Sequence, residues 1–335
     1  HLPGGDCQCS DGSEYRFWSR TTNPEKVVLY FEGGGACFSA ETCAFESGNF
    51  KVQAAADGSP EGGSGIFDFD NPANPFADWS MVYVPYCTGD VHIGDNIQEY
   101  APDLSVAHVG FVNASAATEH MVAAFPDATE VFVAGSSAGG VPSPMFGALV
   151  ADEIPGATVQ VLADASGAYP DNPPVNAAIG ALWGAFDNAP DWPVNDGLTA
   201  EEWSLPGLFV QGGLHRPDVR MARYDDAYDE VQQFFSGLAD LGTDDLLEII
   251  QFNEQQIEEA GVPIHSYIAP GTNHTILGRP EVYTLDVEGV ALIDWLTDYV
   301  AGDDVADVVC VDCEKPAPDA ESGTQDGDAE DEEAT

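Results

Sequence analysis

The pentapeptide Gly135-Ser136-Ser137-Ala138-Gly139 lies between an apolar run, residues 131–134, and a stretch with helical character. This is G-x-S-x-G in a strand–turn–helix setting. A turn that sharp and strained needs small residues at both outer positions, and it lifts the central side chain above the sheet edge. The arrangement confines the chain to folds in which a strand feeds directly into a helix. It also makes Ser137 a candidate nucleophile. The motif is common in ordinary glycine-rich turns, so its weight depends on whether the rest of an acyl-transfer site is present.

The remaining patterning agrees with alternating strands and helices. Apolar runs at 27–31, 80–85, 130–134, 159–163 and 262–268 have the length and content of buried strands. Helical spacing covers 111–124, 244–260 and 287–300. Alternation of this kind predicts a mostly parallel central sheet with helices on both faces. Residues 44–78 are rich in Gly, Asp, Asn and Pro and are expected to form a long loop or small lid. Residues 170–205 carry many Pro, Asn and Trp and are expected to be an irregular insertion over the sheet. One catalytic domain is expected over 1–313. The stretch 314–335 is acidic, lacks apolar anchors and is expected to be a disordered tail.

The chain carries 58 acidic residues against 9 basic ones, a net charge of -49 over 335 residues. Phosphate binding needs clustered Lys and Arg, so nucleic acid is excluded as an expected partner, and so is an anionic membrane surface. No apolar stretch is long enough for a membrane helix, so no membrane insertion is expected. Charge this far from zero adds self-repulsion, which predicts salt-dependent folding of the halophilic kind. A monomer is the expected state. The chain begins at His1 and reads as a mature or trimmed form.

Seven cysteines are present. Cys37 and Cys43 are close enough to close a small loop. Cys7 and Cys9 near one end and Cys310 and Cys313 near the other are expected to pair and tie the termini together, with zinc as the rival reading of those four. Cys87 is left as a buried free thiol. Disulfides fit an exported protein, secreted or periplasmic.

An acyl-transfer serine needs a base, an acid that orients the base, and donors for the oxyanion. The expected chain order is serine, acid, histidine. His215, His265 and His274 follow Ser137. His274 lies in Pro270-Gly271-Thr272-Asn273-His274, a loop at the carboxyl end of a strand, where catalytic groups of such sheets gather. His265 falls inside that strand and reads as a packing residue; His215 is the runner-up base. His1, His92, His108 and His120 read as surface or packing groups. Asp225, Asp226 and Asp229 are acid candidates, and spacing does not choose among them. The oxyanion donors are expected at the backbone of Ala138 and in Glu32-Gly33-Gly34-Gly35-Ala36-Cys37, where glycine permits close approach to a substrate oxygen.

The blocks FEGGGACFSAETC, VYVPYCTGDVHIGD, VFVAGSSAGG, VLADASGAYPDN, AYDEVQ and GTNHTIL occur in this order from about residue 27 to about residue 300. In this the chain resembles the pectin acetylesterase family, which also includes the carboxylesterase Notum. The resemblance implies an α/β-hydrolase fold, an exported serine esterase, and no metal or organic cofactor. It implies Ser137 as nucleophile, Asp229 as acid through a Y-D-x-x-Q element, His274 as base, and Gly34, Gly35 and Ala138 as the oxyanion hole. Asp164 matches a residue near the elbow and is the second choice for the acid. The Cys37/Cys43 pair matches a bridged pair. Relatives usually carry a large aromatic where this chain has Ala36, which leaves specificity open. O-acetyl groups of a polysaccharide are the expected substrate, with longer-chain or polymeric esters as the alternative. A non-catalytic carbohydrate-binding module is the reading outside the enzyme class.

Overall fold

The computed structural model describes residues 1–55, 58–242, 245–311 and 313. The expected acidic tail at 314–335 lies outside the described residues. In chain order the regular elements are β1 (Trp18–Arg20), β2 (Lys26–Phe31), β3 (Ser80–Val84), β4 (Asn96–Ala101), β5 (Leu104–His108), α1 (Gly110–Ala124), β6 (Glu130–Ser136), α2 (Ser143–Glu153), β7 (Thr158–Asp164), α3 (Pro173–Trp183), α4 (Leu205–His215), β8 (Arg220–Asp226), α5 (Glu230–Leu238), α6 (Leu246–Glu259), β9 (Ile264–Ala269), β10 (Asp286–Val287), β11 (Val290–Ala291), α7 (Leu292–Ala301) and β12 (Val308–Val309).

Eight strands form one sheet in the order β1-β3-β2-β6-β7-β8-β9-β12. Only β1 runs antiparallel, against β3; the other neighbours are parallel. The central strands bury both faces, as a sheet covered by helices requires. Along β2, Val27, Leu29 and Phe31 enter one apolar cluster and Val28 and Tyr30 the other. β6 alternates likewise, with Val131 and Val133 on one face and Phe132 and Ala134 on the opposite one. Residues of α1, α2 and α4 fill the first cluster, and α7 with Leu246 and Ile250 of α6 fills the second. This is the fold expected from the sequence, an α/β-hydrolase-like sheet with helices around it.

Among the described residues, 44–78 hold no α-helix or sheet strand; Ile66, Phe67 and Phe76 pack into the second cluster, on the face opposite α1 and α2, while Lys51 lies against Gly34. Two expectations need correction. Residues 170–205 are not irregular throughout. They hold α3, whose Asn172 cap accepts from Val175 N and whose end is closed by Gly184 in the left-handed region (φ 68). The cysteine pairing also differs. Cys9 bonds Cys87, Cys37 bonds Cys43, Cys310 bonds Cys313, and Cys7 is the free thiol. The termini are therefore not tied to each other, and the four cysteines of the zinc alternative are divided between two separate disulfides and Cys7. Among the described residues no helix is long and apolar enough to cross a membrane.

Candidate active site

The elbow forms because β6 ends in residues that tolerate its geometry. Ser137 takes φ 57, a left-handed conformation that a non-glycine residue adopts only where its surroundings enforce it. The flanking glycines are required by space. A Cβ on Gly135 would stand 2.1 Å from the carbonyl oxygen of Gly139, and one on Gly139 would stand 2.1 Å from that of Phe31. The turn is therefore wedged against the end of β2, with Ser137 partly exposed at its tip.

β8 and β9 lead into the candidate acid and base. Asp225 and Asp226 are the last residues of β8 and are buried, while Asp229 caps α5 immediately beyond. Asp229 Oδ1 accepts the amides of Val231 (2.9 Å) and Gln232 (3.0 Å). Its Oδ2 accepts Nδ1–H of His274 at 2.7 Å and the Gln232 side-chain amide at 3.2 Å. The carboxylate accepts only, so the histidine proton sits on Nδ1 and Nε2 carries the lone pair of a base. Nε2 is buried and bonded to no neighbour among the described residues, so the link from His274 to the Ser137 hydroxyl is not closed by a hydrogen bond. Sites of this kind often hold that bond long or poorly aligned until substrate is present. Thr275, next to the histidine, also has positive φ (65).

The glycine run lies against the elbow. A Cβ on Gly33 would come within 2.7 Å of Ser137 Cβ. Gly35 and Ala138 share the lining of Ser137's cavity, while a Cβ on Gly34 would meet Tyr86 and Lys51. Behind the run, the buried His92 ring bonds the Glu32 carbonyl at 2.8 Å through Nε2, which must therefore donate. Burial holds that imidazole down at about 4, so it stays neutral at ordinary pH.

The cavity encloses about 870 Å³ including its open mouth. Its walls are apolar: Phe38, Ile93, Ile179, Trp183, Trp203 and Phe235 line it, with Ser137, Tyr169 and Asn176 as the polar side chains and no charged group among the described residues. α3 supplies Ile179, Gly180 and Trp183, and the end of α5 with the residues after it supplies Phe235, Ala239 and Leu241. Burial pushes the Tyr169 hydroxyl pKa upward, and Asp229 and Asp225 add to it, so the phenol stays protonated.

Several sequence candidates lie elsewhere. His215 stands at the end of α4, bonded to Asp152 at 2.9 Å and stacked on Trp192. His265 packs edge-on against Tyr299 inside β9. Asp164, the second choice for the acid, points not at a histidine nitrogen but at Ser136 Oγ and the amides of Ile276 and Leu277. Burial raises its carboxyl pKa, opposed by those three donors and by the nearby His274. Asp225 and Asp226 are pushed up by burial to about 6 and about 7, and like charge between Asp225, Asp226 and Asp229 adds to the shift. Gln232, the last residue of the Y-D-x-x-Q element and given no role of its own from the sequence, bridges Asp225 (2.9 Å) and Asp229 (3.2 Å) with its side-chain amide.

The sequence profile described as Pectinacetylesterase matches residues 4–182. That span holds the glycine run and Ser137 and ends before Asp229 and His274. The chain is similar to a palmitoleoyl-protein carboxylesterase, notum2, of Xenopus laevis, at 33% identity over 138 residues, 39% of this chain and 28% of the relative. It is also similar to a palmitoleoyl-protein carboxylesterase, NOTUM, of Schmidtea mediterranea, at 32% identity over 98 residues, 28% of this chain and 19% of the relative. These matches thus span under a third of either relative's length.

Proposed function

We propose that this chain, which belongs to the pectinacetylesterase family, is an exported serine carboxylic ester hydrolase working through Ser137, His274 and Asp229. The observation that carries the reading is a strained serine opening onto an apolar cavity, with an acid–histidine pair supplied by the next strands of the same sheet. Ser137 Oγ attacks the ester carbonyl carbon and passes its proton to His274 Nε2. Asp229 holds the Nδ1 tautomer and balances the imidazolium. The amides of Ala138 and of the glycine run, Gly34 and Gly35 among them, face the developing oxyanion. Collapse expels the alcohol, which takes the proton from Nε2. Water, deprotonated by the same nitrogen, then cleaves the acyl-enzyme and releases the acid. Three disulfides fit an oxidising compartment.

The cavity favours a medium or long acyl chain over acetate. Its walls offer hydrocarbon contact and no charge, and each buried methylene stabilises by about 0.8 kcal/mol. Acetyl groups on a polysaccharide remain the second reading, supported by the family's description. The test is kcat/KM on p-nitrophenyl acetate, butyrate and octanoate and on acetylated pectin, with Ser137→Ala as control. Octanoate is expected to lead, and a fluorophosphonate is expected to label Ser137 covalently. Turnover by Ser137→Ala comparable to the parent would overturn the mechanism; a lead for acetylated pectin would overturn the chain-length assignment.

A further inference from the structure

Asp164 is buried, ends β7, and takes no part in the proposed acyl transfer. Its contacts join two parts of the site that are distant in sequence. Oδ2 accepts the Ser136 hydroxyl at 2.5 Å, and Ser136 precedes the nucleophile. Oδ1 accepts the amide of Ile276 at 3.0 Å and Oδ2 that of Leu277 at 3.0 Å, two and three residues beyond His274. The Tyr30 hydroxyl lies 2.6 Å from Ser136 Oγ and donates to it, because that oxygen spends its own proton on Asp164. The chain Tyr30 → Ser136 → Asp164 ← Ile276/Leu277 thus spans β2, β6, β7 and the histidine loop. Every group that meets the carboxyl donates, so the ionised form is the one the site is built around.

We infer that Asp164 is a positioning residue: a buried carboxylate clamp that fixes the nucleophile elbow and the histidine loop in one frame and sets the approach of His274 Nε2 to Ser137. This rests on the serine-esterase reading. It accounts for a relay whose last link is open yet whose two sides are each rigidly held. A mismatch of about an ångström at such a link can cost roughly 100-fold in rate.

Asp164→Asn supplies one oxygen and sets an NH2 group against one of the three donors. Ser136→Ala cuts only the elbow side. Expected results are a fall in kcat of about 100-fold for Asp164→Asn and about tenfold for Ser136→Ala, each with KM changed less than about threefold. The double variant is expected to match Asp164→Asn alone, because both act through one chain of bonds. Amide exchange at Ile276 and Leu277 is expected to quicken in Asp164→Asn. Exchange does not depend on turnover, and so separates failure of the clamp from failure of the serine chemistry, which would appear as no fluorophosphonate label on Ser137. Unchanged exchange at those amides, or losses in kcat that simply add, would overturn the clamp. If Asp164→Asn does not fold, Ser136→Ala and Tyr30→Phe carry the test: a kcat equal to the parent's in both would overturn it.

Discussion

Gly180 offers a direct way to shorten the cavity. It lies in α3, lines the pocket, and a Cβ added there meets no atom of the described residues within 4 Å. The first side-chain atom of Gly180→Phe therefore enters without displacing backbone, and the cost of a mid-helix glycine, about 0.5–1 kcal/mol relative to alanine, is removed in part. If the ring denies three methylenes of an acyl chain their contacts, the loss is about 2.4 kcal/mol at 0.8 kcal/mol each, roughly 60-fold in selectivity. Acetate has none of those methylenes, and its kcat/KM should change by less than about twofold. The assay is the ratio of kcat/KM for p-nitrophenyl octanoate and acetate in both proteins, with a melting curve to establish that the variant is folded. A folded variant whose ratio equals the parent's would refute the placement of the acyl chain in this cavity.

Other outcomes rest on the same structure. Asp226 keeps its proton up to about pH 7, against an ordinary value of 3.8, so the unfolded chain ionises first and stability falls as pH climbs through that window. Asp226→Asn lacks this loss; in urea titrations its advantage should grow from pH 4 to pH 7 and level off above, reaching roughly 4 kcal/mol, and an advantage independent of pH would refute it. Cys9–Cys87 closes a separation of 78 residues and Cys37–Cys43 one of 6, which correspond to about 4.5 and 2.2 kcal/mol of loop-closure entropy. Replacing the first pair by serine should lower Tm more, and the reverse order would show that native packing dominates. With 58 acids against 9 bases, raising KCl from 0.1 to 1 M shortens the screening length from about 10 to about 3 Å and should raise Tm; a flat profile would show that self-repulsion contributes little.

The strands around Ser137 were legible because each is a short β-branched run that stops at a turn or helix-start signal, as in residues 131–139. His274 was legible because it sits just past such a run. Spacing alone did not choose among Asp225, Asp226 and Asp229, which differ in sequence only by offset; the choice of Asp229 came from the family resemblance. In the structure Asp225 and Asp226 end β8, while Asp229 caps α5 beyond the strand and bonds His274. α3 was overlooked although Asn172, Pro173 and Gly184 mark both its ends. Its tryptophan and prolines read as loop content. Cys87 was not paired in advance, since Cys9 lies 78 residues away; the chain before β1 meets the chain after β3 because β1 pairs antiparallel with β3.

The rims of the large sheet are stubs. One outer strand, β1, has three residues and runs against its neighbour; the other, β12, has two. A long open rim is a template on which a second chain can extend by main-chain pairing. Stubs of this length give a newcomer almost nothing to copy, so crowding such molecules together should not seed stacked fibrils from the large sheet.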